Sequence, residues 1–376
     1  TQTQGRTLMI AFLRELVRHK MGLKPIPVQA SSILVIRNDH IGDLVLALPV
    51  LHAIRRAWPR AKISLLVSSY AADIVTHSPD VDHLILQRRD EPRKETLGKI
   101  APTHPDLVIN FNATKRNASL VRSIPSRIKI GYAYKPYNMV SYNRFVFVHR
   151  SHPPIHETAF MLEFLKAAGI EVHLNADALP LMFVIRNGHG RLSAVLAMGL
   201  LSVDSKAKVF VDKYLAKKSS GRRKIVAIHA GDNGSAENWS FQKYLTFAGA
   251  VATRLKKRAD VFLILGPAEK NLIPQALEVS ERTGLKIIES DLTLSQLVAF
   301  LARVELLVAG STGPLHIAGV LNRKVIGLFP SLKIQGKEKW MPLATQSVIL
   351  EASPDKSVEE GINEKAVMEK ILSQLG

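Results

Sequence analysis

The feature that most constrains the fold is a regular alternation of short apolar runs with helical segments. It begins with the apolar run 33–36, continues through a helical pattern over 43–57 and returns to an apolar run at 63–67. Runs this short indicate buried strands, and their alternation with helices predicts βαβ units in a mostly parallel, doubly wound sheet. Further elements predicted in this half are strands at 84–86, 107–111 and 128–131 and a helix at 157–168.

The same alternation of strand and helix patterns begins again near Ile225, which predicts a second α/β domain. Its predicted strands are 225–230, 261–265, 286–288, 306–309 and 325–328, and its predicted helices are 242–255, 270–283, 295–303, 314–321 and 359–375. A chain of 376 residues is long enough for two domains that each bury a core. We therefore expect a basic segment at 1–31, a first domain at 32–180, an interdomain region at 181–224 and a second domain at 225–376.

Composition narrows the chemistry. Lys and Arg outnumber Asp and Glu by 51 to 32, and the formal charge of +19 favours anionic partners such as nucleic acid, phosphorylated lipid or nucleotides. The chain has no cysteine, which excludes disulfides, thiolate metal sites and a cysteine nucleophile. It also lacks a Walker lysine loop, a Gly-x-Gly-x-x-Gly motif and a His-Glu-x-x-His motif, so kinase, dehydrogenase and zincin functions have no support.

The segment from Thr7 to Met21 combines apolar residues near helical spacing with basic ones. The apolar residues are Leu8, Phe12, Leu13 and Leu16, and the basic ones are Arg6, Arg14, Arg18 and Lys20. Such a helix either lies at a membrane surface or packs on the body of the protein. No stretch approaches the roughly 20 apolar residues of a membrane span. We therefore expect a cytoplasmic location, with the inner face of the inner membrane as a peripheral site.

Three loops follow strand ends, where ligands collect in open α/β sheets. The first is 37–43, in which Gly42 permits a tight turn and Asp43 falls near the helix start, four residues after Asp39. A carboxylate at this place suits a general base, and it equally suits a helix cap.

The second loop, 229–240, and the third, 309–318, contain glycines and hydroxyl residues before a helix. Small residues and helix N-termini let backbone amides approach a diphosphate. Pro314 suits the first helical turn, and His316 suits either a donor to that anion or a structural role. Trp239 in the second loop is equally suited to packing and to ligand contact.

These residues resemble a known family. The stretch 36–50 is similar to the N-terminal signature of the ADP-heptose heptosyltransferases, glycosyltransferase family 9, and 308–318 is similar to their C-terminal signature. Between them, 228–231, 235–239 and 265–269 follow the family's order and spacing, so the resemblance covers about 32–330.

The resemblance implies a GT-B fold of two Rossmann-like domains facing across a cleft, with the acceptor on the first and the ADP-sugar on the second. It implies an inverting transfer of heptose without a metal or other cofactor. Asp43 matches the family's catalytic aspartate, which takes the proton of the acceptor hydroxyl. The matching donor-site residues are Ser235, Glu237, Glu269, Leu292, Ser311, Thr312, Gly313 and His316. Of these, Glu269 is expected at the ribose, Leu292 at the adenine and the last four at the diphosphate and sugar.

The implied acceptor is an inner-core lipopolysaccharide of the lipid A–Kdo type. Its negative charge favours basic contacts in the first domain, for which we select Arg37, Lys115, Arg116 and Arg122.

Two positions depart from the family pattern and keep a second hypothesis open. Glu237 stands where Lys or Arg is common, and a carboxylate there repels a diphosphate; Ser311 stands where Asp is frequent. The alternative is a GT-B transferase for another nucleotide sugar, or a weakly active relative. A nucleic-acid-binding protein is the rival from another class, on the basic stretches 217–224 and 254–258, but no nucleic-acid-binding module accompanies them and we expect no nucleic-acid partner.

Overall fold

The structure is a computed structural model that describes residues 2–20, 25, 27–149, 154–174, 182–186, 192–196, 199–219, 223–231, 234, 236–288, 292–332 and 334–376. The chain divides into two compact units, Thr1–Ala197 and Met198–Gly376. Each unit is built on its own parallel sheet, and each is described by itself.

The first unit follows the predicted alternation of strands and helices. Its helices are α1 (Gln2–Lys20), α2 (Ile41–Ala57), α3 (Arg93–Ile100), α4 (Lys115–Ser123) and α5 (Glu157–Ala167), with short 3-10 turns at Ser69–Ile74, Ala101–Thr103 and Pro136–Asn138. Its strands are β1 (Ser32–Ile36), β2 (Lys62–Ser68), β3 (His83–Gln87), β4 (Leu107–Asn110), β5 (Ile128–Tyr132), β6 (Arg144–Val146), β7 (Glu171–Leu174), β8 (Met182–Arg186) and β9 (Leu192–Leu196).

Six of these strands form one sheet in the order β3-β2-β1-β4-β5-β6, and every neighbouring pair is parallel. This order is doubly wound and reverses direction between β1 and β4, where α/β proteins bind ligands. The apolar residues of β1 are fully buried, as are most of those of α2. The sheet confirms the predicted fold class for this half.

Strands β7, β8 and β9 form a separate antiparallel sheet of three strands. Strands β8 and β9 lie in the stretch predicted as an interdomain region, 181–224, together with helix Ser205–Lys218 of the second unit, and no element was predicted from the sequence there. The strand segments are short and are separated by stretches outside the described residues. Their pairing depends on contacts between distant parts of the chain, which no local pattern reports.

The second unit repeats the plan of the first. Its helices are α6 (Ser205–Lys218), α7 (Phe241–Leu255), α8 (Ile273–Thr283), α9 (Leu294–Leu301), α10 (Gly313–Val320), α11 (Lys337–Trp340), α12 (Val358–Gly361) and α13 (Glu364–Leu375), with a 3-10 turn at Pro267–Leu272. Its strands are β10 (Lys224–His229), β11 (Ala259–Ile264), β12 (Lys286–Ile288), β13 (Leu306–Gly310), β14 (Lys324–Phe329) and β15 (Ser347–Glu351).

The six strands are again all parallel, in the order β12-β11-β10-β13-β14-β15. The reversal of direction falls between β10 and β13, so the loops after these two strands are neighbours. The core packs α7 and α13 against the sheet through residues such as Val251 and Ile371. Both halves therefore offer one ligand-binding edge each.

The end of the chain differs from the prediction of a single helix over 359–375. The structure has α12 and α13 separated at Ile362 and Asn363, and the Asn363 side chain accepts a hydrogen bond from the Ala366 amide at 2.8 Å. Asparagine is a strong helix N-cap, so it begins a new helix here. Among the described residues, no helix is long and apolar enough to cross a membrane.

Candidate active site

In the first unit, a buried arginine at the end of β1 binds a group of carboxylates. Arg37 is 1% exposed, and its Nη2 atom donates to Oδ1 of Asp43 at 2.8 Å and to Oε1 of Glu157 at 3.0 Å. Its Nε atom donates to the carbonyl of Asp43 at 3.2 Å and lies 3.3 Å from Oδ1 of Asp39. We call Arg37, Asp39, Asp43 and Glu157 the carboxylate cluster.

The cluster holds three carboxyl groups against one guanidinium, and burial makes their charges interact strongly. Burial alone opposes the charge of Arg37, but Asp39, Asp43 and Glu157 together raise the pKa of Arg37 above its ordinary value. Burial raises the pKa of Asp39 to about 7, against the opposing attraction of Arg37 and with the help of the Asp43 and Glu157 charges. The cluster is therefore able to hold a proton near neutral pH.

Asp43 lies in the first turn of α2, whose N-cap residue is His40. Its side chain binds Arg37 rather than the helix start, so capping does not explain it. The side chain is 13% exposed, and its Oδ2 atom makes no hydrogen bond within the described part of the chain. Asp43 thus combines an ordered carboxylate with partial access to solvent.

Glu157 is the member that sequence reasoning missed. It is the first residue of α5 and its side chain is fully buried. Thr158 fixes the helix start, because its hydroxyl donates to the carbonyl of Leu46 in α2 at 2.8 Å. An acidic residue at a helix start is ordinary in sequence, so no local signal indicated a contact 120 positions away from Arg37.

The residues chosen as acceptor contacts occupy different environments. Arg37 is buried in the carboxylate cluster, and Arg116 donates to the carbonyls of Arg89 and Glu91 at 2.5 Å each. Lys115 is exposed at the first residue of α4, whereas Arg122 lies about 10 Å further along that helix. Of this set, Arg37 is the member that belongs to the cluster.

A group of carboxamides connects α4 to the cluster. Asn117 of α4 donates to Oδ1 of Asn38 at 2.7 Å, and Asn112 donates to the same oxygen at 3.0 Å. Asn38 in turn donates to Oε1 of Gln87 at the end of β3. Since Asn38 is adjacent to Arg37 in sequence, these amides line the edge of the sheet beside the cluster.

In the second unit, His229 ends β10 and meets the loop that follows β13. Its Nδ1 atom lies 3.2 Å from the hydroxyl of Thr312, the N-cap residue of α10. Burial lowers the pKa of His229 to about 4, so the imidazole is neutral at physiological pH. The Thr312 side chain does not cap its own helix. Pro314 has no N–H, and the amides of Leu315 and His316 donate to the Thr312 carbonyl at 3.1 and 3.3 Å, so Gly313 supplies the first-turn amide that is not used in this way.

Gly231 allows close approach of the backbone to this histidine. A Cβ atom on Gly231 would lie 2.7 Å from Nε2 of His229 and 3.2 Å from Oε2 of Glu269. Glu269 is 7% exposed and accepts a hydrogen bond from the Gly266 amide at 2.8 Å. The loop therefore requires glycine at 231 to bring His229, Glu269 and its own backbone together.

The end of β13 is shaped by Asn238. A Cβ atom on Gly310 would lie 2.5 Å from Oδ1 of Asn238, and this oxygen accepts from the hydroxyl of Tyr244 at 2.6 Å. The next residues, Ser311 and Gly313, are half-buried. His316 is 3% exposed in the first turn of α10, so the third predicted loop does form a strand-to-helix turn.

The other predicted donor residues have different surroundings. Oε1 of Glu237 accepts a hydrogen bond from the Val358 amide at 2.7 Å, at the start of α12. Leu292 is half-buried just before α9, and Ser235 lies outside the described residues. Trp239 is a packing residue, because it is 2% exposed and its indole donates to the Ile362 carbonyl at 3.0 Å.

The described residues contain no group of three or more His, Asp or Glu arranged to hold a metal ion. In the carboxylate cluster, Arg37 lies at the centre that a cation would need. Two doubly wound units of this kind, each with its candidate site at the reversal of strand order, define a protein of the GT-B fold.

Residues 99–367 match the family model of glycosyltransferase family 9 (heptosyltransferase), and the chain belongs to this family. It is a glycosyltransferase. A protein of Haemophilus influenzae described as a candidate glycosyltransferase is 24% identical over 315 residues, covering 83% of this chain and 86% of the relative. Lipooligosaccharide heptosyltransferase 2 of Campylobacter jejuni is 19% identical over 311 residues, covering 80% and 82%.

Solved structures have the same fold. A family 9 glycosyltransferase of Veillonella parvula superposes with a TM-score of 0.74 at 16% identity, covering 93% of this chain and 99% of that one. The ADP-heptose lipopolysaccharide heptosyltransferase II of E. coli gives 0.71 at 15% identity, covering 92% and 98%. The E. coli heptosyltransferase WaaC with ADP gives 0.65 at 16% identity, covering 91% and 99%.

Proposed function

We propose that this protein transfers heptose from ADP-heptose to an anionic, inner-core type lipopolysaccharide acceptor, with inversion at the anomeric carbon and without a metal ion. The observation that carries the proposal is the Arg37–Asp43 pair at 2.8 Å, which holds a carboxylate at the carboxyl end of β1. The family supports the reaction class, and relatives solved with ADP and with ADP-2-deoxy-2-fluoro heptose support the donor.

The proposed chemistry needs one base and one leaving-group site. Asp43 accepts the proton of the acceptor hydroxyl as the oxygen attacks the anomeric carbon, and the bond from that carbon to the diphosphate breaks. The bonding electrons leave with ADP, so the new glycosidic bond forms on the opposite face. Arg37 orients the Asp43 carboxylate, and Glu157 in turn fixes Arg37.

The second unit supplies the donor site in this proposal. The diphosphate binds at the turn Ser311–Gly313, where the backbone amide of Gly313 begins α10 and the Thr312 hydroxyl lies beside His229. The neutral His229 keeps Thr312 in place without adding a charge. The buried carboxylate of Glu269 lies within the same loop system and is the proposed ribose contact.

The structure suggests how Glu237 is compatible with an anionic donor. Its carboxylate is occupied by the Val358 amide and lies at the N-terminal end of α12. The partial positive charge of a helix start attracts a carboxylate. We therefore propose that Glu237 acts as a structural link to α12 and not as a contact of the diphosphate.

For the acceptor, the carboxamides beside the cluster suit sugar hydroxyls, and Lys115 suits an acidic group. Arg116 is engaged with backbone carbonyls and Arg37 with carboxylates, so both have structural partners in addition to any acceptor contact. Arg37 Nη1 is buried and makes no hydrogen bond among the described residues, which leaves its N–H groups for a bound hydroxyl or water.

Calorimetric titration with ADP, UDP and GDP tests the donor, and a transfer assay with ADP-heptose and deacylated inner-core acceptor tests the reaction. We expect selective ADP binding, turnover that persists in EDTA, and a product whose anomeric configuration is opposite to that of the donor. Preference for UDP or GDP would replace heptose by another sugar. Binding to none of the three nucleotides, or a retained configuration, would contradict the proposal.

A further inference from the structure

Helix α1 presents an apolar stripe to solvent. Met9, Ile10, Leu13 and Val17 are 39%, 66%, 52% and 54% exposed. Their spacing of three and four residues places them along one face of the helix. Four of the thirteen exposed large apolar side chains among the described residues lie on this helix, so the exposure is concentrated and not scattered.

The opposite face of α1 is fixed to the first unit. The ring of Phe12 packs edge-on against Phe145 of β6 at 5.0 Å between centroids, and lies 6.0 Å from Phe147. His19 stacks on Phe147 at 4.9 Å. The helix is therefore held by its aromatic side, and this packing leaves the stripe facing outward.

The charged residues of α1 indicate which kind of surface its exposed apolar stripe binds. The sequence of α1 has four basic residues, Arg6, Arg14, Arg18 and Lys20, and one acidic residue, Glu15. Arg14 is 67% exposed and its Nε atom lies 3.9 Å from Oε1 of Glu15, whose side chain is 12% exposed. An apolar face on a helix with an excess of basic residues, such as the exposed Arg14, matches a bilayer with anionic headgroups, because the aliphatic stem of an arginine extends along the lipid while its charge reaches phosphate.

Aromatic side chains extend this surface beyond the end of α1. Tyr134 is 43% exposed and stacks on His149 at 4.1 Å, and its hydroxyl donates to the Phe147 carbonyl at 3.2 Å. Phe147 is the ring on which His19 packs. Tyrosine is favoured at membrane surfaces, where its ring is half in lipid and its hydroxyl stays hydrated.

We infer that the exposed face of α1 docks the first unit onto an anionic lipid surface, with the helix lying in the plane of the headgroups. A second copy of the chain fits this face less well, since an isologous contact would bring the basic borders of two α1 helices together. The purpose of this docking, which is to bring the acceptor-binding unit to a lipid-borne acceptor, rests on the proposed function. The docking itself is inferred from α1 alone.

The test is co-sedimentation of the full chain with vesicles of phosphatidylglycerol and phosphatidylethanolamine, compared with vesicles of phosphatidylcholine. We expect binding to the anionic vesicles that weakens with salt. The double variant Leu13→Gln/Val17→Gln should lower the vesicle partition coefficient about tenfold or more, because it removes apolar contact with the bilayer. Glutamine is a good helix former, so α1 should persist.

The matched control is Val209→Gln/Leu277→Gln, which changes residues of the second unit that are 55% and 43% exposed. We expect the control to bind vesicles like the unaltered protein, and both double variants to keep ADP affinity and melting temperature. Arg14→Gln provides a second variant that leaves the apolar stripe intact. It should weaken binding to the anionic vesicles and not to phosphatidylcholine.

The inference is overturned if the unaltered protein does not bind anionic vesicles, or if the α1 double variant binds as well as its control. A loss of self-association in the α1 variant, measured by sedimentation without lipid, would assign the stripe to a second copy instead. These outcomes are independent of the proposed function, which is tested by ADP binding and by transfer to a deacylated acceptor.

Discussion

The two parallel sheets have equivalent strand orders, and each places its candidate functional residues where the strand order reverses. The residues at these two places differ in chemical character: those of the first unit are charged and those of the second are neutral. After β1, the first unit has an arginine surrounded by three carboxyl groups. After β10 and β13, the second unit has a neutral histidine, a threonine and glycines. The comparison teaches that the fold provides the position, and the few residues beyond each strand end provide the function.

Burial acts on both sites in opposite directions. It raises the pKa of Asp39 to about 7 and lowers the pKa of His229 to about 4. In each case the neutral form is favoured by loss of water. The first unit thereby gains a carboxyl group that exchanges a proton near neutral pH, and the second keeps an uncharged imidazole where an anion is expected to bind.

The largest expected effect comes from Asp43→Asn, which removes the proposed base of the first unit. We expect kcat to fall about 10³-fold, as is common for the loss of a general base, while the Kd for ADP stays the same. Steady-state transfer assays and calorimetry measure the two quantities. Asp90→Asn removes an exposed carboxylate from the same unit and serves as the control. Near-normal turnover in Asp43→Asn would transfer the role to another group.

The next effect is expected from Glu157→Gln, which leaves Arg37 without its buried partner from α5. We expect kcat to fall about 10–100-fold through misplacement of Asp43, with partial rescue by Glu157→Asp. Because Glu157 helps to raise the pKa of Asp39, the pH dependence of stability should also move to lower pH. Glu163→Gln, in the same helix and paired with Lys166, is the matched control. An unchanged pH dependence would argue against electrostatic coupling.

A smaller effect is expected from Gly231→Ala in the second unit. The added Cβ must displace His229 or Glu269, since it would lie 2.7 Å from the imidazole. We expect the Kd for ADP to rise about tenfold, with the acceptor KM unchanged. Gly98→Ala, where a Cβ meets nothing within 4 Å, is the control. A rise in acceptor KM without a change in ADP affinity would remove Gly231 from the donor site.

The smallest effect on turnover is expected from Asp39→Asn, whose main readout is stability against pH. A folded-state pKa of about 7, above the ordinary 3.8, means that the folded protein holds this proton more tightly than the unfolded chain. The stability that this proton contributes to the folded protein is complete below the ordinary pKa and is lost as the pH rises to about 7.

Denaturant unfolding of the variant and the unaltered protein between these pH values measures the difference. His229 acts in the opposite sense, because stability from its lowered pKa is lost as pH falls from about 6.5 toward 4. His229 is present in both proteins, so the contribution of Asp39 is obtained by subtracting one curve of stability against pH from the other. Parallel curves would show that Asp39 is ionised throughout.

Many of the strands and helices could be predicted from the sequence. The strand prediction 286–288 coincides with β12, and the helix predicted at 242–255 begins one residue after α7 does. Long, regular alternation is a local property, because each strand or helix buries its apolar side in the same way wherever it occurs. The predictions failed where pairing is non-local, as in β8 and β9, or where a capping residue divides a helix, as at Asn363.

The sequence by itself determined the alternation of strands and helices, the loops that carry the ligand chemistry and the presence of Asp43 at the start of α2. Only the tertiary structure decided that Glu157 joins Arg37, that Glu237 turns to Val358 and that Gly231 makes room for His229 and Glu269. The physical reason is the distance along the chain over which each effect acts. Propensity and periodicity act over neighbouring residues, whereas a buried ion pair or a close backbone approach depends on which distant segments the packed core brings together.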